Sequence, residues 1–500
     1  MLAEWSVAGK PKGMRRFSSL LLITAVALAA SACNPQPHGA LKVVVIGEDP
    51  KLRDPSLGPL PRGDAVVLQN VAQGLVSFDS GGNIVGGLAE RWNVSDDGLS
   101  YIFRLASAQW PDGRKVTSDQ VAKILKRQLA ERSRNELKDS VGAVQDVVAM
   151  TDRVIEIQLI APRPNLLSML AQPEFAILRG SDGTGPFRAV WTGGPGGELR
   201  LSRDVVSSDE EETRHEEVLL SGAAADDAIR DFAASKNDLV LGGTFVDLPI
   251  TRRVRLPGGT LRFDPASGLL GLMPVHAGGP LDKPEVRQLL AQALDRPNFI
   301  NVLGVPGLAA RATLFEPGLD GVPTPVEPNW FGAPLADRLP TLRSQADKLL
   351  GKTKPTIAVA LPIGPGGDLL LQELKRDWAA IGLNVTPAPD SSVADFALVD
   401  EVAPSSSPAW FVRRFRCGAV PVCDPQADQL MEAARTMPIA QQRYALLAEA
   451  ASRIDDAELF IPITAPVRWS LVSARVQNFA GNRYARHSLT DLEEKGGGSD

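Results

Sequence analysis

Histidine, tyrosine and cysteine are scarce in this 500-residue chain, with four, three and three residues. The histidines (His38, His215, His276 and His487) are dispersed, without metal-ligand spacing and with none close in sequence to the pair Cys417 and Cys423. No metal and no cofactor are therefore expected. Runs of basic residues are absent and the formal net charge is −6, which leaves no electrostatic footprint for nucleic acid. GxSxG, HExxH and SxxK do not occur in a convincing context, so the chain is read as a non-enzyme. The longest apolar run, near the N-terminus, is too short to span a bilayer comfortably, and no other segment reaches about 18 uninterrupted apolar residues, so no membrane span is expected.

What is present begins with that stretch. Met14-Arg15-Arg16 precedes Leu20–Ala30, an apolar run of signal-peptide length. Ala30-Ser31-Ala32-Cys33 then resembles a bacterial lipobox, with Ala30 in place of the usual Leu. Residues 1–33 are thus expected to be a lipoprotein signal and Cys33 the lipidated residue, with an ordinary signal peptide cut near Ala32 as the alternative. Residues 34–40 read as a tether. Removing residues 1–32, which carry four Lys/Arg and one acid, leaves a charge of −9. Outside the cytosol the remaining pair, Cys417 and Cys423, is expected as a disulfide, against two free thiols.

The chain is too long for one core, so two or more lobes are expected. Leu41–Ile46 (LKVVVI), Leu75–Phe78 and Tyr101–Leu105 read as strands, with Ser95-Asp96-Asp97-Gly98 as a turn. Thr117 and Gln120 have capping-box spacing ahead of a stripe of Val121, Ile124, Leu125 and Leu129. A second helix is predicted from Pro284, with Val286, Leu289, Leu290, Ala293 and Leu294 on one face. A third runs through Leu370, Leu374, Trp378 and Ile381 to Gly382, and two more cover about 425–434 and 440–454. Strands and helices are intermixed without a short repeat, which predicts an α/β or α+β class with more than one lobe.

One ordered set of motifs is specific. Leu88-Ala89-Glu90-Arg91-Trp92, Val94-Ser95-Asp96-Asp97-Gly98, Tyr101-Ile102-Phe103-Arg104-Leu105, Trp110-Pro111-Asp112-Gly113 and Thr117-Ser118-Asp119-Gln120-Val121 follow one another. Gly183-Thr184-Gly185-Pro186-Phe187, Glu285-Val286-Arg287-Gln288, Ala293-Leu294-Asp295-Arg296, Ile381-Gly382-Leu383-Asn384-Val385 and a late helix from Pro425 come in the same order. Together they resemble the family 5 bacterial extracellular solute-binding proteins, the peptide and nickel binders of ABC importers, over about residues 41–480. The resemblance implies a two-lobe periplasmic-binding clamshell of type II that closes on its ligand. Lobe one would span 41–265 with a subdomain near 80–180, lobe two 266–460, a return to lobe one 461–490, and a tail 491–500. Arg287 and Asp295 are read as lying on one helix and pinning it to its neighbours.

The resemblance also implies partners: a small polar or peptide-like solute, ABC permease subunits, and the membrane through the N-terminal lipid. A monomer in the periplasm or cell envelope is expected. The family's amino-anchoring acid falls, by spacing, on Pro404. Plain oligopeptides are therefore less expected than modified peptides or other charged compounds, and the scarcity of tyrosine points the same way. Candidate ligand-binding residues around this divergent stretch are Asp400, Glu401, Trp410, Arg413 and Arg414; an arginine suits a carboxylate or phosphate and a tryptophan a stacked group. A sensing receptor of the same fold without transport, and an exported hydrolase, are the alternatives.

Overall fold

The computed structural model describes residues 39–192, 198–206, 213–490 and 492. The expected signal segment with Cys33, most of the tether, and all of the tail except residue 492 lie outside the described residues.

The LKVVVI segment, buried at five of its six positions, forms the Leu41–Ile46 strand between two parallel neighbours, Thr213–Ala223 and Leu239–Thr244. A central parallel strand is covered on both faces, which is why its sequence is apolar without alternation. It belongs to a seven-stranded sheet in the order Arg188–Thr192, Glu198–Val206, Thr213–Ala223, Leu41–Ile46, Leu239–Thr244, Arg468–Val472, Leu261–Phe263. A five-stranded sheet follows, in the order Asn384–Ala388, Thr356–Ala360, Phe396–Val402, Gly268–Pro274, Ile461–Thr464.

The chain passes between these two sheets twice, through the short links 264–267 and 465–467. Ile461–Thr464 pairs with Gly268–Pro274 in the five-stranded sheet, so the crossing back falls at 465–467 and not at residue 461, where the sequence had placed it. An apolar cluster continues through both sheets, from Val44 and Val240 to Leu270, Leu272 and Trp469.

Between the first and second strands, in chain order, of the seven-stranded sheet lies a separate four-stranded antiparallel sheet, ordered Ala89–Val94, Ser100–Leu105, Val154–Leu159, Val144–Thr151. Ser100–Leu105 alternates, with Tyr101, Phe103 and Leu105 buried, the signature of a strand with one covered face. The helix Ser118–Leu129 packs near it and starts from a formed capping box: Thr117 Oγ1 accepts from the Gln120 N–H and the Gln120 side chain accepts from the Thr117 N–H. Gln120 Oε1 also accepts from the Trp110 indole at 2.8 Å, tying the WPDG turn to the helix.

Gly183 and Gly185 lie against the backbone that ends the helix Arg62–Val71. A Cβ at either would come within 2.5 Å of a carbonyl oxygen, that of Val71 or Asn70, so only glycine fits.

The motif around Pro284 differs from its reading in one respect. Arg287 and Asp295 stand on two helices, Pro284–Gln292 and Arg296–Leu303, with Ala293 and Leu294 in the break between them. Asp295 is the N-cap of the second, accepting from the Asn298 N–H. Arg287, only 2% exposed, still pins its helix, donating to the carbonyls of Leu281, Ala457 and Glu458.

Candidate functional site

A cleft of about 710 Å³ opens along the junction of the two large sheets and the segment 136–174. Its floor includes both crossing regions, through Asp264 and Arg468. The five residues predicted as ligand contacts, Asp400, Glu401, Trp410, Arg413 and Arg414, all line it. Asp400 and Glu401 end the strand Phe396–Val402, and the other three lie on or just after the short helix Pro408–Arg413.

The structure brings these residues to one wall but matches their charges internally. Asp400 accepts from Arg468 at 2.8 Å, and Glu401 pairs with Arg414 at 2.5 Å. Arg413 reaches across to the segment 136–174, meeting Asp139 and the Ser140 hydroxyl, each at 3.1 Å. Trp410 is half-buried, with its indole edge-on to the Phe411 ring at a centroid distance of 5.0 Å. Pro404 has no charge to offer, and its carbonyl accepts from Gln172 at 2.9 Å.

Other wall residues come from distant parts of the chain and carried no local motif. Glu174 is matched by Arg486 at 3.0 Å, and Asp264 lies 3.3 Å from the His487 ring nitrogen Nε2. Arg62, Arg416 and Glu136 have no ion-pair partner among the described residues. Arg62, at the start of the helix Arg62–Val71, donates to the Gly242 carbonyl at 3.0 Å. Desolvation in the cleft and then the nearby Arg468 guanidinium hold its pKa below the ordinary arginine range. Desolvation, and then the Glu174 and Glu401 carboxylates, push the Glu136 pKa up. Two of the three tyrosines, Tyr444 and Tyr484, line this cleft or its side chamber; the chamber has a volume of about 300 Å³.

Cys417 and Cys423 are bonded as a disulfide, with Cys417 on the wall of the side chamber. Among the described residues no three metal-ligating groups cluster, and no helix is long and apolar enough to cross a membrane.

The architecture is that of the periplasmic solute-binding proteins. The structure of Haemophilus influenzae OppA in complex with RPPGFSPFR superposes with a TM-score of 0.77 at 17% identity, covering 92% of this chain and 99% of that one. The murein tripeptide binding protein MppA of Escherichia coli superposes with a TM-score of 0.77 at 16% identity, covering 90% and 98%. In sequence, the probable di/tripeptide-binding protein 5 of Pseudomonas aeruginosa is 24% identical over 489 residues, 84% of this chain and 89% of the relative. Residues 83–401 match the model of the bacterial extracellular solute-binding proteins, family 5, and the chain belongs to that family. It is a solute-binding protein of the ABC-importer type and not an enzyme; such proteins are periplasmic and work with permease components.

Proposed function

We propose that this protein captures a small zwitterionic solute, peptide-like or a modified peptide, in the cleft and delivers it to an ABC permease. Lobe one, residues 41–265 with the subdomain 80–180 and the returning strand Arg468–Val472, would close on lobe two, residues 266–464, by bending at the two crossing links. Short paired links between rigid sheets are where hinge closure concentrates its φ/ψ change. Cys33 carries the lipid that tethers the protein, as a monomer, to the cell envelope.

The observation that carries this reading is that Arg62 and, with the opposite charge, Glu136 lack ion-pair partners among the described residues, as does the exposed Arg416, in a cleft whose Asp139, Glu174, Asp400 and Glu401 are each matched by an arginine. An unpaired guanidinium suits a ligand carboxylate and an unpaired carboxylate a ligand ammonium. The relatives above that bind peptides bear on the ligand class, and the uncharged Pro404 favours modified over plain peptides.

Native mass spectrometry of the purified protein identifies what it retains, and calorimetry then measures its affinity. Arg62→Ala and Glu136→Gln each remove one charge-assisted contact, so each is expected to weaken binding about tenfold to a hundredfold. Unchanged affinity in both variants overturns the assignment.

A further inference from the structure

The side chamber opens from the cleft past Trp410 and Arg413, which line both cavities, as do Asp139, Ser140 and Arg416. Its walls come from two separate apolar cores. Leu159, Leu166 and Met169 belong to the core of the four-stranded sheet, and Met431, Ala434 and Leu447 to the core of the helices Pro425–Thr436 and Ala440–Asp456.

Contacts between the two sides close the chamber. Asn165 donates to Asp320 at 2.9 Å and Arg163 to the Arg435 carbonyl at 2.6 Å. The chamber is thus complete only when the segment 139–169 meets the helices beyond residue 408.

Its polar groups are unbalanced. Arg443 is 4% exposed, yet its guanidinium makes a single hydrogen bond, to the Met437 carbonyl at 3.3 Å, and lies over the Tyr444 ring. Arg163 bonds only backbone carbonyls, those of Pro162 and Arg435. Neither has an acidic partner. Arg413 and Arg435 on the same walls are matched, by Asp139 and Glu432. The one unmatched acid is Asp428, whose Oδ1 is buried without a hydrogen-bond partner; one carboxylate does not offset Arg163 and Arg443, while the third unmatched guanidinium on these walls, that of Arg416, is exposed. Burial, and then the neighbouring Arg443 charge, lower the Arg163 pKa to about 10. A guanidinium carries five N–H donors, and leaving a buried one short of acceptors is costly.

We propose that the side chamber is a second ligand subsite, taking a short aliphatic arm that ends in an anionic group held by Arg163 and Arg443. The cleft ligand then has a zwitterionic head at Arg62 and Glu136 and a further acid about one side chain away. An occupied chamber supplies the missing acceptors and joins the two cores, so the arm favours the closed form. This rests on the cleft reading above, which stands or falls separately on Arg62→Ala and Glu136→Gln.

The test uses three γ-amides that share the zwitterionic head of glutamate: γ-glutamylglycine, whose arm ends in a carboxylate, and γ-glutamylglycinamide and γ-glutamyl-n-propylamide, whose arms end in neutral groups. Calorimetry on the full mature protein is expected to show the acidic-armed probe binding about tenfold to a hundredfold more tightly than the other two. Arg163→Gln and Arg443→Gln are expected to shrink that preference, measured in each variant against γ-glutamyl-n-propylamide, to within about threefold, and Arg443→Lys to restore part of it. Arg163 reaches the chamber from a loop, so Arg163→Gln serves where Arg443→Gln fails to fold. Equal affinity for the three probes, no binding of any of them, or a preference that survives in folded Arg163→Gln overturns the proposal.

Discussion

The indole of Trp469 occupies the space that any side chain at residue 243 would need. A Cβ built on Gly243 would lie 2.2 Å from two of its ring atoms, and the indole N–H donates to the Thr244 carbonyl at 2.7 Å. Trp469 is the second residue past the link 465–467, and its ring belongs to the apolar cluster that runs through both large sheets. One contact therefore fixes the return strand against Leu239–Thr244 where the two sheets part.

Gly243→Ala is expected to force the indole out of register and to weaken its hydrogen bond. Overpacking of this kind costs about 1–3 kcal/mol. Thermal unfolding followed by circular dichroism would show a lowered midpoint. An unchanged midpoint would mean that the strand absorbs a methyl group at this point.

Stability should fall as the pH rises from about 4 to about 8, in part through Asp455. Burial pushes its pKa up to about 8, while its Oδ1 accepts from the Leu314 N–H at 2.8 Å. Below the unfolded pKa, near 4, both states are protonated and there is no penalty. Between the two values the unfolded chain releases a proton that the folded one keeps, so each pH unit costs about 1.4 kcal/mol. Asp455→Asn keeps the acceptor and removes the titration. Its pH–stability profile should be flatter than the parent's, with the gain largest near pH 8; parallel profiles would refute this assignment.

The Cys417–Cys423 bond closes a short loop between the helix Pro408–Arg413, which carries Trp410 and Arg413, and the helix Pro425–Thr436. Non-reducing peptide mapping of the exported protein is expected to find the two cysteines linked. Cys417→Ser with Cys423→Ser should cost about 2 kcal/mol of stability. Two alkylatable thiols in the native protein would contradict the bond.

Cys33→Ala is expected to move the protein from the membrane fraction to the soluble periplasmic fraction, because a thioether-linked lipid needs the sulfur. Membrane association that persists in this variant would assign the attachment to another part of the chain.

Several elements could be read before any coordinates because local chemistry decided them. The capping box at Thr117 and Gln120 and the proline that opens Pro284–Gln292 act within one helical turn, and the LKVVVI strand needs only burial on both faces. The break between Arg287 and Asp295 could not be read, since Ala293 and Leu294 are buried and continue the apolar stripe where the helix stops. Asp400, Glu401, Trp410, Arg413 and Arg414 were singled out because a divergent stretch of sequence drew attention to them, and the fold sets all five along the cleft. Arg62, Glu136 and Arg443 were not, since each is one charged residue among many until the fold shows which of them lacks a partner.

The order of strands in the seven-stranded sheet has a consequence for biosynthesis. Arg468–Val472 lies between Leu239–Thr244 and Leu261–Phe263, strands made more than two hundred residues earlier. Until the chain has emerged to residue 472, that sheet has a missing row and two unpaired edges. Unpaired edges are sticky, and such long-range pairing forms slowly. The sheet therefore closes only after nearly all of the polypeptide has left the ribosome.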